Sequence, residues 1–230
     1  MEIYVGTSGW MYDWNMGGSL DWYVQNSGLN AVELNASFYR FPSPNAVKAW
    51  RVKGERLRWA IKVNRLITHV FKFNDRAFES WFRFKELFDA MDHLIDFYLF
   101  QLPPSIKASH AQRIEKFFAR IGIGQRFALE VRELSWFNES TVKWASNLGI
   151  TLVSVDSPDF PREIFNINGI VYLRMHGRTL WYSHNYSDRE LTDIKEKILK
   201  SKPEKVYIFF NNDTNMLRNA QHMFKKLASQ

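Results

Sequence analysis

The chain has 230 residues and a formal net charge of +7, with 46% hydrophobic and 24% charged residues, which is typical of a globular protein. Because the sequence contains no cysteine, it excludes disulfides, thiol nucleophiles and thiolate metal sites. It opens without a signal-peptide pattern, and no apolar run reaches the roughly 18 residues of a membrane-spanning helix, so we expect a soluble cytoplasmic protein without membrane contacts.

Eight strand-like segments follow one another along the chain. Each is short, apolar and rich in β-branched or aromatic residues. In order they are IYVGT, NAVELN, RLRWAIKV, IDFYLFQ, RFALEVR, ITLVSVD, GIVYLRMHG and KVYIFFNND.

Amphipathic segments lie between most of these strands and predict helices. Capping residues mark several of them: Ser43 begins one that Gly54 ends, Ser109 begins another, and Asn138 begins one that Gly149 ends. Apolar residues at three- and four-residue spacing predict a long helix over 75–93. Between positions 156 and 169 a proline-containing loop replaces a helix.

This alternation predicts parallel strands joined by right-handed crossovers. Eight units in this length predict an α/β fold, a (β/α)₈ barrel of the TIM type, formed as a single domain over residues 1–230. The alternative is an open doubly wound sheet. That fold normally carries a glycine-rich phosphate turn after the first strand, and GTSGW matches such a turn poorly.

Polar residues end nearly every predicted strand, and several come in pairs two residues apart. Such pairs leave a strand on the same face. The pairs are Glu33 with Asn35, Lys62 with Asn64, Glu130 with Arg132, and Arg174 with His176, while Gln101, Asp156 and Asn211 end three further strands. Any one pair can be a structural salt bridge, but together they indicate a ligand site, because barrel enzymes hold their chemistry at the carboxyl ends of the strands.

The residue types suggest a division of roles. The cations Lys62, Arg132 and Arg174 would hold an anionic group. Glu130 and His176 are the candidates for proton transfer. Two further carboxylates, Glu33 and Asp156, would orient these groups or act as a second catalytic carboxylate.

A second set of residues would complete the pocket. Its polar members are Asn35, Asn64, His69, Gln101 and Asn211, and its aromatic walls are Trp10, Tyr39, Trp136 and Tyr186. The loop WYSHNYS, residues 181–187, is either an aromatic lid over a ligand or a packed loop.

A metal site is an alternative for part of this set. Oxygen and imidazole ligands from Glu33, Glu130, Asp156 and His176 would suit Mn²⁺ or Zn²⁺. Because the strand ends supply one histidine and three nearby basic groups, we expect no metal and no redox cofactor. A Schiff base at Lys62 is a weaker alternative.

The chain resembles the YecE-like family, domain of unknown function seventy-two. The matching segments are GTSGW, VELNASFYRFP, IKVNRLITH, FQLPPS, LEVRELSW, RMHG and FFNND, followed by the pair Asn219–Ala220. The resemblance implies a (β/α)₈ barrel and little about activity, and the likeness of this fold to barrel nucleases and sugar isomerases is only an analogy. The segment MYDWNMGGSLDWY lacks the family's usual Phe-Tyr-Pro element, which indicates an altered wall beside the first strand.

Three functions follow as expectations. The leading one is an enzyme, a hydrolase, lyase or isomerase, acting on a small anionic or phosphorylated ligand by acid–base chemistry. The second is nucleic-acid binding or processing, suggested by the net charge. The third is a non-catalytic ligand-binding or protein-interaction module. The sequence does not indicate an oligomeric state.

Overall fold

The computed structural model describes residues 1–229. Nine strands are present among these residues: β1 Glu2–Thr7, β2 Ala31–Leu34, β3 Arg58–Lys62, β4 Ile95–Gln101, β5 Phe127–Glu130, β6 Thr151–Asp156, β7 Asn166–Ile167, β8 Ile170–Met175 and β9 Lys205–Phe210. The α-helices are α1 Leu20–Asn26, α2 Ala36–Tyr39, α3 Pro44–Lys53, α4 Asp75–Leu87, α5 Ala111–Ile121, α6 Glu139–Leu148, α7 Asp188–Lys200 and α8 Met216–Ala228.

The strand order defines the fold class. Neighbouring strands follow the order β6-β5-β4-β3-β2-β1-β9-β8-β7, and β6 also pairs with β8. This additional pair closes the sheet. Eight strands run parallel, with helices in their connections, so the predicted (β/α)₈ barrel is confirmed. No helix within residues 1–229 combines the length and the apolar character needed to cross a bilayer.

Strand β7 is additional to the eight predicted strands, and it lies in the segment predicted as a loop. It pairs antiparallel with β8, across a two-residue turn in which Asn168 has φ +52° and Gly169 has φ +84°. Positive φ at both central residues is the conformation that Asn-Gly favours in hairpins. The prediction that no helix forms here is confirmed, but the hairpin was missed.

Most of the predicted caps are present. The Ser43 side chain accepts a hydrogen bond from the Ala46 amide, and Asn138 accepts one from Thr141, with Gly149 in the left-handed conformation at the end of α6. The prediction for Ser109 was wrong, because this residue lies in a 3-10 turn that precedes α5.

The described residues divide into two compact units. The first comprises Met1–Glu33, Arg56–Arg58 and residues 153–229, and the second comprises Leu34–Glu55 and Trp59–Leu152. A single domain over residues 1–230 stays a prediction.

The core of the first unit is largely aliphatic. The strands bury Val5, Val171 and Ile208 completely, and α7 buries Leu191 and Ile198. Burial of such side chains is the main driving force for folding.

The core of the second unit is aromatic. Phe100 and Phe127 stack with ring centroids 4.0 Å apart, Trp81 lies 5.3 Å from Phe100, and Phe117 packs on the same ring at 5.9 Å. Aromatic residues make up 16% of the sequence. A large part of that share therefore fills this core.

Candidate functional site

The first unit contains a fully buried ion pair. Arg174, at the end of β8, donates from Nε to Oε2 of Glu33 at 3.0 Å and from Nη2 to Oε1 at 2.6 Å. Both side chains are completely inaccessible to solvent. This forked geometry is the strongest form of arginine–carboxylate pairing.

Two hydroxyl groups complete the surroundings of the same carboxylate. The Tyr172 hydroxyl donates to Glu33 Oε2 at 2.7 Å, and the Ser8 hydroxyl donates to Oε1 at 2.8 Å. Four donors therefore converge on one buried carboxylate. In this arrangement Glu33 neutralises and orients Arg174.

His176 follows Arg174 on the same face, as the two-residue spacing predicts. Its Nε2 lies 3.5 Å from Arg174 Nη1, and its Nδ1 lies 3.2 Å from the Asn211 side-chain amide. A guanidinium only donates hydrogen bonds, so the contact with Arg174 needs an unprotonated Nε2, and the role of Nδ1 toward the Asn211 amide nitrogen depends on the tautomer of the ring.

An aromatic loop covers this histidine. The ring of Trp181 lies 5.1 Å from the imidazole, and that of Tyr182 lies 5.7 Å from it in an edge-on arrangement. His176 is completely buried. Trp181 and Tyr182, which begin the segment 181–187, thus pack on His176, whereas Tyr186 packs on His184 and Phe210.

Asp156 anchors both ends of the connection from β8 to α7. Its carboxylate accepts from Arg178 Nε at 3.1 Å and from the Tyr186 hydroxyl at 2.8 Å, while the Gly177 amide donates to that hydroxyl at 2.9 Å. Burial and the negative charge of Asp156 raise the pKa of Tyr186 above its usual value. The tyrosine therefore stays protonated and donates to Asp156.

Gly177 is required at this position. Its φ is +117°, a conformation that side chains disfavour, and an added Cβ would lie 2.5 Å from the Leu180 carbonyl oxygen. The glycine of the RMHG motif therefore permits the chain to turn immediately after His176.

The second unit has its own polar cluster. Glu130, at the end of β5, is completely buried and forms an ion pair with Arg132 Nε. Gln101 is the register neighbour of Glu130 across β4 and β5. Lys62, at the end of β3, is nearly buried, and its Nζ lies 4.4 Å above the Phe38 ring, which is a favourable cation–π geometry.

His69 lies among the positively charged side chains of this cluster. The Thr68 hydroxyl lies 2.8 Å from His69 Nδ1, and Phe38 packs edge-on against the imidazole at 5.1 Å. Burial and the positive charges of Lys62, Arg65 and Arg132 lower the pKa of His69 to about 4. A neutral imidazole therefore lies among several cations at neutral pH.

Some predicted residues have clear internal partners. Asn64 donates to the Ser37 carbonyl at 2.9 Å and accepts from the Leu66 amide at 3.1 Å. The Trp136 indole is buried and donates to the Ile106 carbonyl at 2.9 Å. These two side chains stabilise loops of the second unit.

Other predicted residues vary in exposure. Asn35 occupies the position before α2, and Tyr39, at the end of α2, is 73% exposed. Trp10 is mostly buried, and its carbonyl accepts from Asn15 at 2.6 Å. Of these three, only Tyr39 offers a large exposed aromatic surface.

Sequence reasoning missed several residues of the two clusters. Tyr172 precedes Arg174 by two residues, so the same periodicity would have placed both on one face. Ser37 was also missed. Its hydroxyl donates to the Lys62 carbonyl at 2.6 Å and so stabilises the end of β3. Ser8 lies within the GTSGW motif, but its partner Glu33 is distant in sequence.

Within residues 1–229, no group of three or more histidines, aspartates and glutamates is arranged to hold a metal ion. Glu33 and Asp156 instead accept hydrogen bonds from arginine and tyrosine side chains.

The fold and these strand-end clusters place the chain among the (β/α)₈ barrel proteins. A family model described as "Protein of unknown function DUF72" matches residues 4–230. The chain therefore belongs to this family, as the motifs indicated. No curated protein matches the chain.

Solved structures agree with this assignment. A DUF72 family protein from Thermotoga maritima, TM1631, is 26% identical over 100% of both chains, with a TM-score of 0.81. A DUF72 family protein from Enterococcus faecalis, EF0366, is 21% identical over 100% of this chain and 98% of that chain, with a TM-score of 0.80. SacUVDE shares the fold, with 9% identity over 100% of both chains and a TM-score of 0.61.

Proposed function

We propose that this protein is an enzyme that binds a phosphate-bearing or other anionic substrate at the carboxyl ends of β3 and β5 and transforms it by acid–base chemistry. The observation that carries the proposal is the environment of His69. Lys62, Arg65 and Arg132 lie close enough to lower the pKa of this imidazole. An anion placed among them would relieve their mutual repulsion.

Each residue of this cluster has a role in the proposal. Lys62 and Arg132 bind the anionic group, Arg132 through its planar guanidinium. His69 contributes a neutral ring whose Nδ1 meets the Thr68 hydroxyl, so that Nε2–H can donate to the ligand. Glu130, which is buried beside Arg132, is the general acid or base that transfers a proton to or from the substrate.

His176 remains a second candidate for proton transfer, in the first unit. It is covered by Trp181 and Tyr182, so a ligand reaches this imidazole only after the aromatic loop moves. We therefore place the acid–base role first on Glu130.

The anion-binding part is tested through the pKa of His69, measured by NMR with inorganic phosphate as the probe. Saturating phosphate should raise this pKa from about 4 toward the ordinary value of about 6.5. The variant Arg132→Gln should lose the response to phosphate, whereas Arg113→Gln, an exposed change on α5, should retain it. A pKa that stays unchanged in the wild-type protein at saturating phosphate would contradict the proposal.

The catalytic part is tested with a thermal-shift screen of phosphorylated metabolites and nucleotides. A compound that stabilises the protein is then incubated with the wild-type chain and with Glu130→Gln. We expect Glu130→Gln to bind the compound and to lose turnover by a factor of about 10² to 10⁴. Recovery of every bound compound unchanged after incubation with the wild-type protein would instead indicate a non-catalytic binding module.

A further inference from the structure

The first unit carries a basic cavity that the proposed function does not use. It has a volume of about 390 Å³, which is within the range of small-molecule sites. It lies beside α7 and the loops that follow β6 and β8. Its lining consists of four basic and two acidic residues: Arg162, Arg178, Lys197, Lys200, Asp193 and Glu196.

Two guanidinium groups of this cavity are held in place by internal partners. Arg162 donates from Nε to the Ser157 carbonyl at 3.1 Å and from Nη2 to the Arg178 carbonyl, also at 3.1 Å. Arg178 donates from Nε to the Asp156 carboxylate at 3.1 Å. Arg178 Nη1 also lies 3.9 Å from Oε1 of Glu190, within ion-pair distance. These contacts leave Nη1 of Arg162 and Nη2 of Arg178 as the donors for a ligand, and their fixed positions reduce the entropic cost of binding.

The α7 helix adds charges of both signs. The Lys197 ammonium donates to the backbone carbonyl of Arg162 at 3.3 Å, and Lys200 follows almost one turn later. Asp193, Glu196, Lys197 and Lys200 are all exposed, so water screens these four charges more strongly than those of the half-buried Arg162 and Arg178. The two arginines are therefore the charges of this lining that act most strongly on a ligand, and they favour an anion.

We propose that this cavity binds a phosphate-type oxyanion, either free phosphate or the phosphoryl group of a small metabolite. Fixed arginines match the geometry of phosphate oxygens, and nearby lysines supply additional positive charge. Arg178 bonds Asp156, which in turn accepts from Tyr186. An oxyanion held by Arg178 therefore also stabilises the connection between β8 and α7.

The test is calorimetric titration of the whole chain with inorganic phosphate and with glycerol 3-phosphate at constant ionic strength. The titrations are made in an Arg132→Gln background, so that binding at the cluster of the second unit does not contribute. Phosphate should bind, and both Arg162→Gln and the exposed change Lys200→Gln should weaken its affinity by about tenfold. The double variant Asp193→Asn/Glu196→Gln should bind phosphate more tightly.

Arg189→Gln is the matched control, since it removes one positive charge from the exposed side of α7 outside the cavity and should leave the affinity unchanged. Tighter binding of glycerol 3-phosphate than of phosphate would identify a metabolite as the ligand, and the reverse would identify free phosphate. An equal loss of affinity in Lys200→Gln and Arg189→Gln would overturn the proposal, as would the absence of binding both in the background protein and in the Asp193/Glu196 double variant.

Discussion

The pair Glu33–Arg174 shows how a buried charge is held in this protein. Moving two charged groups out of water is costly, and the pair is stable only where further hydrogen bonds satisfy it. Here the carboxylate accepts from Tyr172 and Ser8 as well as from the guanidinium. Either charge without the other would be buried and uncompensated.

We therefore expect Glu33→Gln to lower the free energy of unfolding by about 3–5 kcal/mol. The double variant Glu33→Gln/Arg174→Met should lose less than the sum of the two single variants, because the second change removes the orphaned cation. Urea denaturation of the four proteins measures both quantities. Additive losses would show that the two side chains do not stabilise each other.

The spacing of Arg174 and His176 was sufficient to predict that the two side chains share a face, and they do, at 3.5 Å. The partner of Arg174 could not be predicted, because Glu33 lies 141 residues earlier in the chain. The two-residue periodicity of a strand predicts the face on which a side chain lies, whereas its contact partner depends on tertiary packing. The same holds for His69, whose low pKa depends on cations from separate segments of the second unit.

Among the elements, β1 and β2 approach each other unusually closely at Gly6. A Cβ at this position would lie 2.2 Å from the Ala31 carbonyl oxygen, which belongs to the neighbouring strand. Neither backbone can move away without disturbing the pairing of Gly6 with Ala31 and of Thr7 with Val32. A glycine is therefore needed here because any side chain would clash with the neighbouring strand, not because the backbone must be flexible.

Gly6→Ala should accordingly destabilise the protein by about 1–3 kcal/mol or more, the usual range for an overpacked interior. The measurement is the thermal or urea unfolding midpoint. Gln112→Ala, on the exposed side of α5, is the control and should change stability by less than about 0.5 kcal/mol. A Gly6→Ala protein as stable as the wild type would show that the two strands can separate at little cost.

Helix α4 shows why the length of an element is harder to predict than its presence. The apolar spacing continues to His93, but the helix ends at Leu87 and a 3-10 segment covers Asp89–Leu94. Met91 has a φ of −120° there, outside the helical range, yet it is fully buried. A distorted turn can bury the same apolar residues as a regular helix, so periodicity does not distinguish them.

At the scale of the whole molecule, alternation of strands and helices was enough to predict the barrel, because parallel strands with short crossovers have few other arrangements. The ligand could not be predicted in the same way. The positions of polar residues at strand ends follow from the fold, whereas the pairing of Glu130 with Arg132 and of Glu33 with Arg174 depends on side-chain packing.

The net charge of +7 predicts some association with nucleic acid whatever the specific function. If charge alone is responsible, binding to short single-stranded DNA should fall steeply between about 50 and 200 mM salt. Fluorescence anisotropy measures this dependence, and Glu130→Gln should show the same salt dependence as the wild type. Tight binding that persists at the higher salt concentration would instead favour a nucleic-acid-processing protein.

The connection from Gly177 to Tyr186 is fastened where it leaves β8 and again where it approaches α7. The Tyr186 hydroxyl joins the two points, and Asn219 accepts from the Tyr186 amide at 3.2 Å. Between these two points Arg178 bonds Asp156, and Trp181 and Tyr182 pack on His176. A change in the length of this connection would therefore expose His176 and release Asp156 together, so insertions that ordinary surface loops tolerate would be costly here.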